Sequence, residues 1–305
     1  SMIRRRNWGL TDVTIGIKPL TPAAGAEISG VTLSADIDDD TLAEVHAALV
    51  RHHVIFFRDQ PLSPVDQAGF ARRLGRTRVA QKAAFGVMED VPEMAILLND
   101  RAAPPNVDHY HVDGLFRANP EFAAMLHAVE LPSVGGDTIF VSLTRAYDAL
   151  SDGMKSYLAD KQAVADFMKL HGSPKKAKSW DGDNAERMER MRRLNPPVAH
   201  PLVKTHPVSG KTHLFLSESF TTHVVNVPDE ESRGLLDFLL HHVRKAEFQC
   251  RFKWEFGSTA IWDNRAALHY AVADYWPERR LMHRVTIESD RLGQWDPGEA
   301  AVERG

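Results

Sequence analysis

The sequence predicts a mainly β fold with flanking helices, an α+β arrangement in which an antiparallel sandwich or barrel carries its helices outside. Three observations predict it. Short apolar or alternating runs recur between turn residues such as Gly135-Gly136, Ser209-Gly210 and Gly257. Strand and helix patterns do not alternate regularly, and no G-x-G-x-x-G or phosphate-loop motif occurs, which argues against a dinucleotide-binding sheet. The 305 residues are 43% hydrophobic and 26% charged, an ordinary globular composition with enough apolar mass for a core.

The elements follow in order. Residues 13–19 alternate as a short strand that Pro19 ends, and residues 25–31 read as a turn and a second strand. Asp38, Asp39 and Asp40 offer N-caps to a helix over 41–51, whose stripe is Leu42, Val45, Leu49 and Val50. Val54-Ile55-Phe56-Phe57 reads as a buried strand. Ser63-Pro64 opens a second helix through Ala68, Phe70 and Leu74, closed by Gly75. Residues 78–106, with Pro92, Pro104 and Pro105, read as an irregular active-site loop. Strands are then expected at 123–129, 138–142, 202–206, 213–216, 248–254, 259–262 and 284–288. Two helices interrupt them, at 144–161 and 230–245, the second striped by Leu235, Leu236, Leu239 and Leu240. The Lys/Arg/Met-rich stretch 172–195 reads as an excursion on one edge. Without repeats or composition shifts, one domain is expected over 10–295, with tails at 1–9 and 296–305.

Charge and cysteine usage narrow the partners. Lys+Arg is 37 and Asp+Glu is 41, a formal charge of −4, so no basic face is expected and no nucleic acid. No apolar run reaches the ~20 residues of a membrane span. Cys250 is the single cysteine, which excludes a disulfide framework and a Cys-rich zinc site and fits a reducing cytoplasm.

The chemistry concentrates in Tyr110-His111-Val112-Asp113-Gly114. On a strand, residues i and i+2 share a face, so His111 and Asp113 can offer an imidazole nitrogen and a carboxylate oxygen to one point. A divalent metal such as Fe(II) accepts both, but needs a third ligand from elsewhere. Downstream, an apolar strand end and polar turn lead to a histidine in Ile261-Trp262-Asp263-Asn264-Arg265-Ala266-Ala267-Leu268-His269. Arg280 and Arg284 follow, an even number of residues apart and so on one face of a strand, where guanidinium forks suit a bound carboxylate. His109 reads as a loop residue beside the motif, and His206 and His283 as structural.

With these residues in place, the chain resembles the TauD/TfdA family of non-haem Fe(II)- and 2-oxoglutarate-dependent dioxygenases. The resemblance runs from about residue 15 to 290. Besides the H-x-D segment it rests on Phe56-Phe57-Arg58-Asp59-Gln60, Glu130-Leu131-Pro132-Ser133-Val134-Gly135-Gly136-Asp137-Thr138, His200-Pro201-Leu202-Val203-Lys204-Thr205-His206-Pro207, Phe220-Thr221-Thr222, Ile261-Trp262-Asp263-Asn264-Arg265 and His283-Arg284. It implies a double-stranded β-helix, a cupin-like jelly roll. It implies that His111, Asp113 and His269 hold Fe(II), and that Thr138 and Arg280 hold the distal carboxylate of 2-oxoglutarate. Arg284 would sit beside the co-substrate and the substrate's anionic group, with Val112, His171 and Phe220 at the substrate. Phe116 matches a position near the same pocket. The implied reaction consumes O2, releases succinate and CO2, and hydroxylates a C–H bond, since Asp113 stands where related halogenases lack a carboxylate. The implied assembly is a homo-oligomer, a dimer or tetramer.

The resemblance also points away from taurine. Where the family template binds it through a histidine, a tyrosine and an asparagine, this sequence has Ala80, Ala83 and Val107. A site lacking those groups cannot reward the same polar ligand. A small anionic substrate of another kind is expected: a sulfonate, an alkyl sulfate or a carboxylate. The competing expectation is a metal-dependent hydrolase using Zn2+ on the same His/Asp/His set.

Overall fold

The computed structural model describes residues 15–80, 86–105, 109–172 and 184–298. The 1–9 tail, most of the 296–305 tail, Ala83, Val107, the start of the first expected strand and the middle of 172–195 lie outside them. In chain order the elements are β1 (Gly16–Pro19), β2 (Ala26–Ser29), α1 (Asp39–His52), β3 (Val54–Phe57), α2 (Pro64–Leu74), β4 (Gly86–Met88) and β5 (Val91–Asn99). Then come β6 (Ala123–Glu130), β7 (Thr138–Ser142), α3 (Leu143–Asp148), α4 (Asp152–Leu158), β8 (Gln162–Ala165), α5 (Phe167–His171) and α6 (Asn184–Leu194). The chain continues through β9 (Val198–Pro201), β10 (Val203–Thr205), β11 (Thr212–Leu214), β12 (Thr221–Val224), α7 (Asp229–Val243), β13 (Gln249–Phe252), β14 (Thr259–Asp263), β15 (Ala267–Ala271) and β16 (Arg280–Ile287).

Eight strands form the major sheet in the order β1-β2-β3-β14-β6-β16-β5-β4. A minor sheet, β13-β7-β15, packs against it, and the two make the jelly roll. Strand alternation sorts the side chains into layers. Ile55, Met125, Ile261, Val285 and Ile287 join Leu42, Val45, Leu49, Phe70 and Leu74 of α1 and α2 on one side of the major sheet. Phe56, Leu126, Trp262 and Met282 face the other way and meet Phe140 and Phe252 of the minor sheet. Val141 and Leu268, on the outer face of the minor sheet, pack with Leu143, Leu236 and Leu239 of α3 and α7. Each fully buried large side chain contributes about 1.5–3 kcal/mol. The helices start where local chemistry allows: Asp38 accepts from Thr41 N at 2.8 Å, and Ser63 accepts from Asp66 N at 3.1 Å ahead of Pro64. No described helix is long and apolar enough to cross a membrane.

Three expectations are corrected. Residues 78–106 are not one irregular loop: β5 is a nine-residue strand paired along β16 from Asn99 to Met94. Pro92 stands ahead of that paired stretch, where its missing N–H costs no ladder bond on β16. The single helix over 144–161 is two short ones, because Ser151 caps a new helix by accepting from Met154 N at 3.2 Å. Part of the 172–195 excursion is helical, as α6.

Candidate active site

His111 and His269 face each other across an isolated antiparallel bridge and exchange both backbone hydrogen bonds, each 2.9 Å. Residues paired this way project to the same face, and the two imidazole centroids lie 4.1 Å apart. β15 positions His269 opposite Phe140 of β7, inside the roll, with the Trp262 ring 4.8 Å away. The His111 ring is oriented by Nδ1, which donates to the His109 carbonyl at 2.9 Å. That bond leaves Nε2 as the nitrogen with a free lone pair.

Asp113 is not on a strand, as the sequence reading had it. The chain leaves the bridge after His111 and turns at Gly114, whose φ of +66° is a left-handed conformation that glycine adopts without strain. Asp113 Oδ1 nevertheless lies 3.6 Å from His111 Nε2 and 3.8 Å from His269 Nε2. All three donors are buried and lie within 4.8 Å of one another. Two imidazoles and one carboxylate closing on a point fit Fe(II), which binds such a set on one face and keeps its other positions open.

The electrostatics agree. Burial opposes charge on Asp113, but the Arg284 guanidinium and the two imidazoles outweigh it and hold the carboxyl well below the usual range. Burial, reinforced by His111, pushes His269 well below 6.5, so its imidazole is neutral at physiological pH and keeps a lone pair for a metal. Arg284 Nη2 lies 2.8 Å from Asp113 Oδ2, which places this arginine against the carboxylate of the cluster.

Arg280, Met282 and Arg284 share the inward face of β16, although the ladder to β6 shifts register between Leu281 and Met282. Arg280 is 6% exposed and has no carboxylate partner among the described residues. Its guanidinium carbon lies 6.0 Å from the Trp254 ring and 5.7 Å from that of Tyr275. Trp254 Nε1 donates to Thr138 Oγ1 at 3.0 Å, so one indole bonds Thr138 and faces Arg280, the two residues expected to hold 2-oxoglutarate. Burial pushes the Arg280 pKa down. A buried cation without a counter-ion is costly, and an anionic ligand would offset that cost.

Of the expected substrate residues, His171 and Phe220 come together with two more rings. Phe116 lies 4.9 Å from Phe220 and 4.8 Å from Phe167, and Phe167 stacks on His171 at 4.0 Å. Val112, also expected at the substrate, is fully buried in the same apolar cluster as Phe220, with Leu115, Val141 and Leu268.

Asp263 and Arg265, which read as part of a turn, form a buried charge network. Arg265 Nη2 donates to Asp263 at 2.7 Å and to Asp290 at 2.9 Å, His206 Nε2 lies 3.0 Å from Asp263, and His46 Nε2 lies 2.8 Å from Asp290. It pins the turn that leads into β15. Sequence reasoning also passed over Trp254, Tyr275 and Asn99 beside Arg280. Nothing in their local pattern marks them: Trp254 and Asn99 are far from Arg280 in sequence, and Tyr275, five residues before it, belongs to no motif.

A family model described as "Taurine catabolism dioxygenase TauD, TfdA family" matches residues 16–286. An alpha-ketoglutarate-dependent sulfate ester dioxygenase of Pseudomonas putida is 35% identical over 283 residues, covering 90% of this chain and 90% of that protein. An alkylsulfatase of Acinetobacter baylyi is 30% identical over 279 residues, covering 90% of this chain and 85% of that protein. Among solved structures, a taurine dioxygenase from Burkholderia xenovorans superposes with a TM-score of 0.76 at 31% identity, over 92% of this chain and 93% of that one.

Proposed function

The chain belongs to the TauD/TfdA family of 2-oxoglutarate-dependent dioxygenases, and from that premise we propose that its substrate is a small organic anion with an apolar tail, an alkyl sulfate ester first and a sulfonate or carboxylate next. The enzyme is an oxidoreductase that uses Fe(II), 2-oxoglutarate and O2. Fe(II), when bound, supplies the oxidising chemistry that converts 2-oxoglutarate to succinate and CO2 and hydroxylates the substrate.

The protein's part is placement. In this reading His111, Asp113 and His269 are the iron ligands, and Arg280 with Thr138 receives the distal carboxylate of 2-oxoglutarate. Arg284 holds Asp113 and presents its remaining charge to the substrate anion. The rings of Phe116, Phe167, His171 and Phe220 wall the apolar tail and keep water from it. Hydroxylation at the carbon bearing a sulfate ester oxygen gives a hemiacetal ester, which breaks its C–O bond to leave an aldehyde and free sulfate. The reading extends to one catalytic domain over 10–295, assembled as a cytoplasmic homo-oligomer.

The observation that carries the reading is the convergence of the His/Asp/His set, its donors within 4.8 Å of one another, alongside a buried arginine with no carboxylate partner among the described residues. A hydrolase on the same triad has no use for that arginine, and the relatives matched do not support it. The test is a substrate screen with 2-oxoglutarate and O2 over alkyl sulfates of increasing chain length, alkylsulfonates, phenoxyacetate and taurine. Alkyl sulfates should yield succinate and sulfate in equal amounts, with none from His269→Ala. Efficient turnover of taurine at low concentration, with alkyl sulfates inert, would reject the substrate assignment.

A further inference from the structure

Arg280 is held by more than its strand. In the ladder it pairs with Asn99 of β5. Asn99 Nδ2 donates to the Ala103 carbonyl at 3.3 Å, which settles the direction of the amide. Its Oδ1 then accepts from the Tyr275 hydroxyl at 2.9 Å. A phenol has one proton to donate. With that proton directed at Asn99, the phenolic oxygen keeps a lone pair for a donor, and the Arg280 guanidinium packs beside the same ring, its carbon 5.7 Å from the centroid.

The surroundings fix this arrangement. Tyr275 is 6% exposed. A Cβ on Gly136 would sit 3.3 Å from Tyr275 Cδ1 and 3.4 Å from Arg280 Cδ and Nε, tight against both residues, and the φ of +75° strains any side chain placed there. Asp274 accepts from Gly136 N at 2.8 Å, and Glu278 accepts from Ser133 N at 2.7 Å and Ser133 Oγ at 2.9 Å. The β15–β16 loop is thereby tied to the β6–β7 loop, with the Tyr275 ring in the seam. Arg280 Nε is buried within it and has no hydrogen-bond partner among the described residues.

We propose that Asn99 and Tyr275 are positioning residues for the co-substrate: the chain Asn99–Tyr275–Arg280 sets the guanidinium in one orientation before 2-oxoglutarate arrives. This rests on the reading of Arg280 as the 2-oxoglutarate anchor. A preset fork loses less freedom on binding than a mobile one, so the effect falls on co-substrate affinity and not on the metal.

The test is calorimetric titration of 2-oxoglutarate into the Mn(II)-loaded protein, which reads binding without turnover. Tyr275→Phe removes only the hydroxyl and should raise the 2-oxoglutarate Kd about tenfold, or ~1.4 kcal/mol. Asn99→Ala should do the same. The double variant should rise no further than either single one, because both cut one chain of contacts. Mn(II) affinity and the melting temperature of Tyr275→Phe should match the parent. Arg280→Lys separates the two readings. If it weakens 2-oxoglutarate while Tyr275→Phe and Asn99→Ala stay within twofold of the parent, the positioning proposal falls and the anchor stands. If Arg280→Lys also stays within twofold, the anchor falls and takes the proposal with it. Equal weakening of Mn(II) and 2-oxoglutarate in Tyr275→Phe would mean a general structural role, and would overturn the proposal as well.

Discussion

Arg284→Gln should weaken metal binding before any co-substrate or substrate is present. Arg284 Nη2 lies 2.8 Å from Asp113 Oδ2, with the two side chains 14% and 7% exposed. The other oxygen of the same carboxylate faces both imidazoles, at 3.6 and 3.8 Å. The guanidinium therefore decides which oxygen Asp113 presents to the metal. Opposite charges about 4 Å apart attract by roughly 4 kcal/mol at an effective dielectric near 20, and desolvation takes back part of that. Groups that orient metal ligands typically change affinity 10–100-fold when removed, or about 1.4–2.8 kcal/mol. We expect Arg284→Gln to fall in that range for Mn(II). The assay is an electron paramagnetic resonance titration of free Mn(II) against the protein alone. A role confined to 2-oxoglutarate or substrate leaves this affinity unchanged, so a Kd within twofold of the parent refutes the argument. Urea unfolding of the metal-free protein gives a second reading. Arg284→Gln and Asp113→Asn, singly and together, should show a coupling above about 1 kcal/mol if the pair is closed in solution.

Two further outcomes follow from the core. Burial pushes His53 and His213 down to about 4 from 6.5, so the unfolded chain binds their protons at a higher pH than the folded one does. Stability should be full above about pH 6.5, fall as pH drops toward 4, and level off below that for these groups, with a total loss of a few kcal/mol at about 1.4 kcal/mol per unit. Chemical denaturation across this range, flat for the parent and for a His53→Gln/His213→Gln variant alike, would contradict it. Phe56 is fully buried, stacks on Phe252 at 3.9 Å and meets Phe140 edge-on at 5.6 Å. Phe56→Ala should cost about 3–5 kcal/mol in urea unfolding, and a loss under 1 kcal/mol would mean that the two sheets do not pack through this contact.

Much of the fold was legible, for reasons visible in particular residues. Val54-Ile55-Phe56-Phe57 forms β3 as read, because a short apolar run bounded by charge has few alternatives to a buried strand. α1 starts at an aspartate cap and α2 at Ser63-Pro64, since helix ends are set by chemistry within a few residues. β5 was hidden because Pro92 within it and Pro104-Pro105 beyond it suggested a loop, while the pairing that makes it a strand comes from β16, far along the chain. The site divides the same way. His111 and Asp113 could be paired because alternate strand residues share a face, but that spacing left the third ligand open, and His269 was named through the resemblance to the TauD/TfdA family. That Arg284 would close on Asp113 could not be read, since no spacing rule connects a turn residue to a strand on another sheet.

By itself the sequence determined which donors exist, how helices begin and end, and how strand residues alternate between two faces, all of which depend on covalent neighbours and side-chain chemistry. The tertiary structure alone decided that His111 would bridge to His269, that Arg280 would lie buried beside Trp254 and Tyr275, and that Val112 would join Val141, Phe220 and Leu268 in one apolar cluster. Those outcomes depend on ladder register and on the packing of two sheets, where many weak contacts from the whole chain add up before any single pair is fixed.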